Sequence, residues 1–248
     1  MNNKLHNILS LCIGLLFLLI LQKLSISRPV FRILVPVFGL FVLLVSAYNR
    51  WYLQQLQKYN FWIVLRHALL LLAGLGLFLI LPNSGLRGAF LVTSVLLIAF
   101  FEYFLGSFSE NILMLEILVI AFGLFMALAA GAQDYPGYGS WFVILAFAAS
   151  LLLSRCFYEF IPQPSRTKLV VSLTLGLLMA QLFWAFSFLP FHFSALAVML
   201  FNLYYFCLAL NYYYFFETLN LKKMQFHLGL VVAASAAVIL ATPWKIIT

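Results

Sequence analysis

Stretches of mostly apolar residues, each close to twenty residues long, follow one another through almost the whole sequence with short connections between them. A helix that crosses a bilayer needs about 20 apolar residues, and it satisfies its backbone polar groups internally. Only 8% of the 248 residues are charged and 66% are hydrophobic, whereas about 25% are charged in a typical soluble domain. The sequence therefore predicts an all-α fold, a polytopic integral membrane helix bundle.

About nine stretches are candidate transmembrane helices. They run approximately over Asn7–Leu24, Val30–Tyr48, Phe61–Leu81, Leu86–Leu105, Asn111–Ala130, Tyr138–Phe157, Leu169–Leu189, Phe191–Phe216 and Gln225–Ala241. The first stretch has no small-x-small cleavage site after it, so we expect a retained helix rather than a signal peptide. The sequence does not decide between eight and nine helices, because the first two stretches are the least distinct. With no room for a soluble domain, we expect a single transmembrane domain over residues 1–248.

Basic residues give the chain a net charge of +8, from 14 Lys and Arg against 6 Asp and Glu. Most of them lie between apolar stretches, which is the topology pattern of membrane proteins rather than a nucleic-acid surface. The lipid bilayer and other membrane proteins are thus the expected partners, and nucleic acid is not. The distribution favours a cytoplasmic N-terminus in a bacterial-type plasma membrane, although Lys23, Arg28 and Arg32 oppose that orientation.

Small residues recur at four-residue spacing in the second half of the chain, a pattern that lets helices approach closely in lipid. The spacing predicts a tightly packed C-terminal core and more lipid-exposed early helices. The four patterns are Gly123, Ala127, Gly131 in the fifth stretch, Ala146, Ser150, Ser154 in the sixth, Ser172, Gly176, Ala180 in the seventh, and Gly229, Ala233, Ala237, Ala241 in the ninth.

Charged residues within membrane helices are rare and are candidates for function. Arg66, Glu102, Glu116 and Arg155 lie inside predicted helices, and Glu217 lies at the end of the eighth. Counting crossings places all five on the same side of the membrane. Three interpretations stay open: an ion-pair network that holds helices together, an ion, proton or headgroup site, or side chains that reach the interface without contacting one another.

Polar residues on the eighth helix form a second candidate site. Asn202, Tyr205 and Tyr213 lie roughly along one face and lead toward Glu217. Such a stripe normally faces protein or a water-filled cavity, so it predicts either interhelical hydrogen bonds or one wall of a substrate path. His67, next to Arg66 but about 100° around the helix, is expected to be an interfacial histidine.

Catalytic, phosphate-binding and metal-binding motifs are absent from the sequence. It contains no catalytic triad, phosphate loop or metal-ligand spacing, and its three cysteines lie in separate stretches. We therefore expect no cofactor and no metal, and the sequence favours a non-enzymatic protein. The first hypothesis is a membrane scaffold or complex subunit that works through helix packing. The alternative is a small transporter or lipid-handling protein with an ion, proton or headgroup site at Arg66, Glu102 and Glu116.

Overall fold

Nine α-helices make up the described part of a computed structural model, which covers residues 3–26, 31–81, 84–105, 110–216, 218 and 220–241. Side-chain surroundings are described for residues 8–22, 36–81, 85–105, 110–216, 218 and 220–241. The helices are α1 Asn3–Ile26, α2 Phe31–Gln55, α3 Phe61–Ile80, α4 Ser84–Tyr103, α5 Glu110–Asp134, α6 Gly139–Tyr158, α7 Ser165–Ser187, α8 Phe193–Phe215 and α9 Leu221–Ala241. A short 3₁₀ turn, Pro136–Tyr138, precedes α6.

Seven of these helices, α3 to α9, are long and apolar enough to cross a membrane. Their length and composition confirm the predicted all-helical fold and indicate an integral membrane location. The described apolar part of α1, Ile8–Gln22, is shorter than a full span. The count of nine transmembrane helices is not confirmed and stays a prediction, as do the single domain, the type of membrane and the orientation of the N-terminus.

Local signals set the ends of several helices. Asn60 precedes α3 in an extended conformation, and its side chain accepts a hydrogen bond of 2.9 Å from the backbone N–H of Trp62, which satisfies one of the donors left open at a helix start. Pro136 follows the end of α5, and Pro164 precedes α7. Proline cannot continue a preceding helix but fits the start of the next one, so these positions fix the connections on either side of α6.

Backbone contacts divide the chain within α5 into two compact units, Met1–Ile120 and Ala121–Thr248. In the first unit, α1 packs on α2 and α4, and α3 packs on α2 and α4. The ring of Phe17 is fully buried, with the rings of Phe38 and Phe41 at centroid distances of 5.9 and 6.4 Å. Gly74 makes room for this cluster, because a Cβ there would lie 2.8 Å from Cζ of Phe17.

The second unit is built on the pairs α6–α7, α7–α8 and α8–α9. The small residues predicted to pack in the sixth and seventh stretches are all buried, namely Ala146, Ser150, Ser154, Ser172, Gly176 and Ala180. A Cβ at Gly176 would lie only 3.2 Å from side-chain atoms of Phe147 and Leu151, which is a close approach of α7 to α6. The packing prediction for these two helices is therefore confirmed.

The packing prediction for the ninth stretch is wrong. Gly229, Ala233, Ala237 and Ala241 are all exposed, and a Cβ on Gly229 would meet nothing within 4 Å. Among the described residues of α9, Val231 alone is buried. The small-residue spacing is the same as in α7, but the helix contacts α8 along a different face. The last helix is thus the most exposed of the seven candidate spans, which is opposite to the expected tightly packed C-terminal core.

Candidate functional site

Two charged side chains pair inside the first unit. Arg66 lies in the second turn of α3 and Glu116 in the second turn of α5. Arg66 Nε is 2.6 Å from Glu116 Oε2, and the two side chains are 7% and 1% exposed. A guanidinium and a carboxylate this close and this buried form a charge-assisted contact. Removing one partner of a buried pair typically costs about 3–5 kcal/mol, because the other charge is left uncompensated.

His67 lies beside this pair and is buried, at 2% exposure. Its Nδ1 is 3.3 Å from Glu116 Oε1 and 3.2 Å from the carbonyl oxygen of Ile63, and its Nε2 is 3.3 Å from the carbonyl oxygen of Phe101. The carboxylate oxygen and the two carbonyl oxygens are all hydrogen-bond acceptors. A neutral imidazole has one N–H, whereas an imidazolium has two. Donation from both ring nitrogens therefore requires the protonated form.

Glu102, the residue after Phe101 on α4, is also buried, at 1% exposure. Its Oε1 accepts a hydrogen bond of 3.0 Å from the side-chain amide of Asn49 on α2. It interacts electrostatically with both His67 and Glu116. Asn49 is fully buried, and its Oδ1 finds no hydrogen-bond partner in the described part of the chain. These contacts join four helices through one group of five residues, the first-unit network: Asn49, Arg66, His67, Glu102 and Glu116.

The charge of the first-unit network depends on one proton. With both carboxylates ionised and His67 neutral, the five side chains sum to one negative charge. Protonation of His67 brings the sum to zero. Isolated charge is costly in an apolar interior, and a proton on His67 or on one of the two carboxylates brings the sum for these five side chains to zero.

The sequence predicted that Arg66, Glu102 and Glu116 lie on the same side of the membrane. In the structure Arg66 and Glu116 are in contact, and Glu102 interacts electrostatically with His67 and Glu116. Sequence reasoning missed Asn49 and misplaced His67. The expectation of an interfacial His67 is wrong, because Ile63 and Leu70, on the same face of α3, are buried with it. That apolar face was the signal available in the sequence. The predicted role of the charged residues stays a prediction.

An apolar cavity of about 40 Å³ lies one helical turn from the network. Leu70 follows Arg66 by one turn, Ile98 precedes Glu102 by one turn, and Val119 follows Glu116 by nearly one turn. Eight of the nine lining residues are apolar, and the ninth, Ser94, donates its hydroxyl to the carbonyl oxygen of Phe90 at 2.7 Å. The lining residues are Leu70, Ala73, Gly74, Leu77, Phe90, Ser94, Leu97, Ile98 and Val119.

The polar stripe of α8 faces α9 in the second unit. Tyr205 places its hydroxyl 2.7 Å from Nδ1 of His227, and the hydroxyl of Tyr213 is 3.3 Å from Nε2 of the same ring. Asn202 donates to the hydroxyl of Ser235 at 3.1 Å. Of the two predicted alternatives, these contacts are interhelical hydrogen bonds. Glu217, toward which the stripe was expected to lead, lies outside the described residues.

Arg155 makes local contacts at the end of α6. Its Nη1 is 3.0 Å from Oε2 of Glu159, four residues later, and its Nη2 donates to the hydroxyl of Ser165 at 3.4 Å. Lys168 donates to the backbone carbonyl of Glu159 at 3.0 Å. These contacts tie the end of α6 to the start of α7. Part-exposed pairs at this spacing contribute little, about 0.3–0.5 kcal/mol.

Comparison with protein-family models, with curated protein sequences and with solved structures finds no match to this chain. Within the described ranges, no group of three or more His, Cys, Asp or Glu residues is placed to hold a metal ion. The candidate function therefore depends on the geometry of the chain itself.

Proposed function

We propose that this protein is a small proton-coupled membrane transporter, with the first-unit network as the site that binds and releases the proton. The observation that supports this function is the His67 ring, which has oxygen acceptors beside both nitrogens and lies within 3.3 Å of the Glu116 carboxylate. Histidine suits proton exchange because its neutral ring carries one nitrogen that donates and one that can accept a proton.

Charge balance gives the network two states. In the proton-bound state, Arg66 and His67 carry two positive charges against the carboxylates of Glu102 and Glu116. When the proton leaves, the network has an excess negative charge in a low-dielectric region, where interactions between charges are strong. Such a site favours entry of another cation or return of the proton, which is the elementary requirement for coupling.

The position of the network supports access from one side. Arg66 follows the start of α3 by five residues and Glu116 follows the start of α5 by six, so each lies about 8–9 Å along its helix. Glu102 lies one residue before the end of α4. A site at this depth is shielded from solvent but needs only a short opening to exchange a proton.

Proteoliposomes that contain a trapped pH-sensitive dye test the proposal. Solutes from a broad panel are added outside, and a transported one changes the internal pH. We expect His67→Gln and Glu102→Gln to abolish the change while retaining the folded protein, because glutamine keeps a similar volume and hydrogen-bonding capacity. Glu110→Gln, on an exposed residue at the start of α5, is the matched control and keeps the activity.

Two results would overturn the proposal. The first is a wild-type protein that changes internal pH with no solute of the panel. The second is a His67→Gln protein that transports as well as wild type. Folding of each variant is checked by its helical circular dichroism and its monodisperse elution in detergent.

A membrane scaffold or complex subunit is the second candidate, and the exposed face of α9 favours it. The residues Gly229, Ala233 and Ala237 leave a smooth surface on which another helix could approach closely. Native mass spectrometry of protein extracted with its own membrane distinguishes the two functions. Protein subunits retained at fixed stoichiometry support the scaffold, whereas a lone chain counts against it.

A further inference from the structure

We infer that Glu102 is a second proton-binding position of the first-unit network, where the proton is held on a neutral carboxylic acid that donates its O–H to the side-chain oxygen of Asn49. This inference rests on the proposed function and names a further proton carrier in the same site. Glu102 binds the proton, and Asn49 is a positioning residue that holds the protonated group in place.

The side-chain amide of Asn49 lies fully buried on α2. Its N–H donates to Oε1 of Glu102 at 3.0 Å, whereas its Oδ1 has no hydrogen-bond partner in the described part of the chain. A buried acceptor without a donor is costly. The oxygen and nitrogen of the amide are bonded to the same carbon, so this oxygen lies close to the carboxyl group that the nitrogen contacts. A donor on that carboxyl group would satisfy it.

The carboxyl group of Glu102 becomes a donor when it is protonated, because it then carries one O–H and keeps an oxygen that accepts. It can accept from the amide N–H of Asn49 through Oε1 and donate to the amide oxygen through Oε2. An ionised carboxylate only accepts, and it leaves the amide oxygen without that donor. Glu102 is 1% exposed, and removal from water costs less for a neutral carboxyl group than for a carboxylate. A buried carboxylic acid that stays neutral can serve as a hydrogen-bond donor.

The net charge of the network is the same for either position of the proton. With the proton on His67, that ring and Arg66 balance the two carboxylates. With the proton on Glu102, the guanidinium of Arg66 balances Glu116 alone, and the imidazole is neutral. Transfer of the proton from a ring nitrogen of His67 to Oε2 of Glu102 removes one donor from the ring and supplies one to Asn49. One proton therefore has two positions of equal net charge.

The titratable groups that face Glu102 come from the helices around it. His67 on α3 and Glu116 on α5 interact with it electrostatically, and so does Tyr48 on α2. In the described part of α1, residues 8–22, the titratable side chain is Cys12, which is exposed. A positive charge on His67 favours an ionised Glu102, and a neutral His67 withdraws that support. The two protonation sites are therefore alternatives for the same proton.

Infrared spectroscopy of the full chain in a maltoside detergent tests the inference, because this detergent has no ester carbonyl to cover the band of a carboxylic acid. A protonated carboxyl group absorbs at a higher frequency than a carboxylate. The chain has six carboxyl side chains, so substitution assigns the band to one of them. We expect a carboxylic-acid band near neutral pH in the wild type and its loss in Glu102→Gln. Glu110→Gln, on an exposed residue, is the control that keeps the band.

Asn49→Leu tests the positioning residue. Leucine has a similar branched shape but offers no acceptor, so the O–H of Glu102 loses its hydrogen bond. We expect the band either to move to a higher frequency or to disappear as the proton passes to His67. Leu43→Ile, at an exposed position on the same helix, is the control that leaves the band unchanged. Helical circular dichroism and monodisperse elution check that each variant is folded.

Three results overturn the inference: a wild-type protein with no carboxylic-acid band near neutral pH, a band that persists in Glu102→Gln, and a band of the same frequency and intensity in Asn49→Leu. If one of them is found while solutes still move protons in proteoliposomes, the inference alone fails and the proposed function stands. If the band responds to both substitutions as expected but no solute of the panel moves protons, the proposed function fails and the protonated Glu102–Asn49 pair stands.

Discussion

The Arg66–Glu116 pair predicts a large and measurable coupling energy. Replacing Glu116 with leucine removes the carboxylate that lies 2.6 Å from the guanidinium of Arg66, a side chain that is 7% exposed. Replacing Arg66 with leucine removes that guanidinium from the Glu116 carboxylate. Each single change is expected to cost about 3–5 kcal/mol. The double replacement removes both charges and is expected to cost much less than the sum. The coupling energy is then at least about 2 kcal/mol, within the range for residues of one network.

Equilibrium unfolding in mixed micelles, with sodium dodecyl sulfate as denaturant, measures the four free energies of this cycle. The matched control is the same cycle on Arg155 and Glu159, whose side chains are 11% and 25% exposed. We expect a coupling of about 0.3–0.5 kcal/mol there. A coupling for Arg66 and Glu116 no larger than that of the control pair would refute the reasoning, because it would mean that water reaches the pair.

Three further predictions test the helix contacts. Gly176→Ile forces a side chain into a space with neighbours at 3.2 Å and is expected to cost about 1–3 kcal/mol in the same unfolding assay, whereas Gly229→Ile, with open space around it, is expected to cost nothing. Gly74→Ala is expected to destabilise by about 1 kcal/mol or more, and Phe17→Leu to restore part of that loss, because the new methyl group meets the ring at 2.8 Å. His227→Ala removes two hydroxyl contacts and is expected to weaken attachment of α9 by about 1 kcal/mol, seen as faster hydrogen exchange in that helix.

Each of these predictions has a contradicting result. Equal losses for the two isoleucine variants would show that the Gly176 contact is not specifically tight. If Phe17→Leu lowers the stability of Gly74→Ala further, the ring is not the obstacle. Unchanged exchange after His227→Ala would mean that apolar contacts alone hold α9.

The helices could be predicted from the sequence because apolar length is a local property. The third stretch was predicted at Phe61–Leu81 and the helix is Phe61–Ile80; the eighth was predicted at Phe191–Phe216 and the helix is Phe193–Phe215. The second helix was predicted to end at Tyr48, but it continues to Gln55. That difference placed Asn49 outside the helix and concealed one member of the network.

The charged residues of the network stood out in the sequence because few ionisable groups occur in apolar stretches. The sequence predicted that these residues lie on the same side of the membrane, but it did not predict which of them are in contact. His67 was misplaced because a histidine near a helix start is common at an interface, and its burial depends on which helices pack against that face. The residues of α9 repeat the spacing of α7, but spacing does not specify whether a partner helix is present. These errors concern tertiary packing, which a single sequence encodes weakly.

The pairing of Arg66 with Glu116 across two intervening connections also has a consequence for membrane insertion. Arg66 enters the bilayer with α3, and its partner is synthesised about fifty residues later, a delay of seconds at about 5–20 residues per second. During that interval an arginine must be accommodated in lipid, at an apparent cost of about 2.5–3.5 kcal/mol at the centre of a helix and less near its end. The remaining apolar residues of α3 have to outweigh that cost.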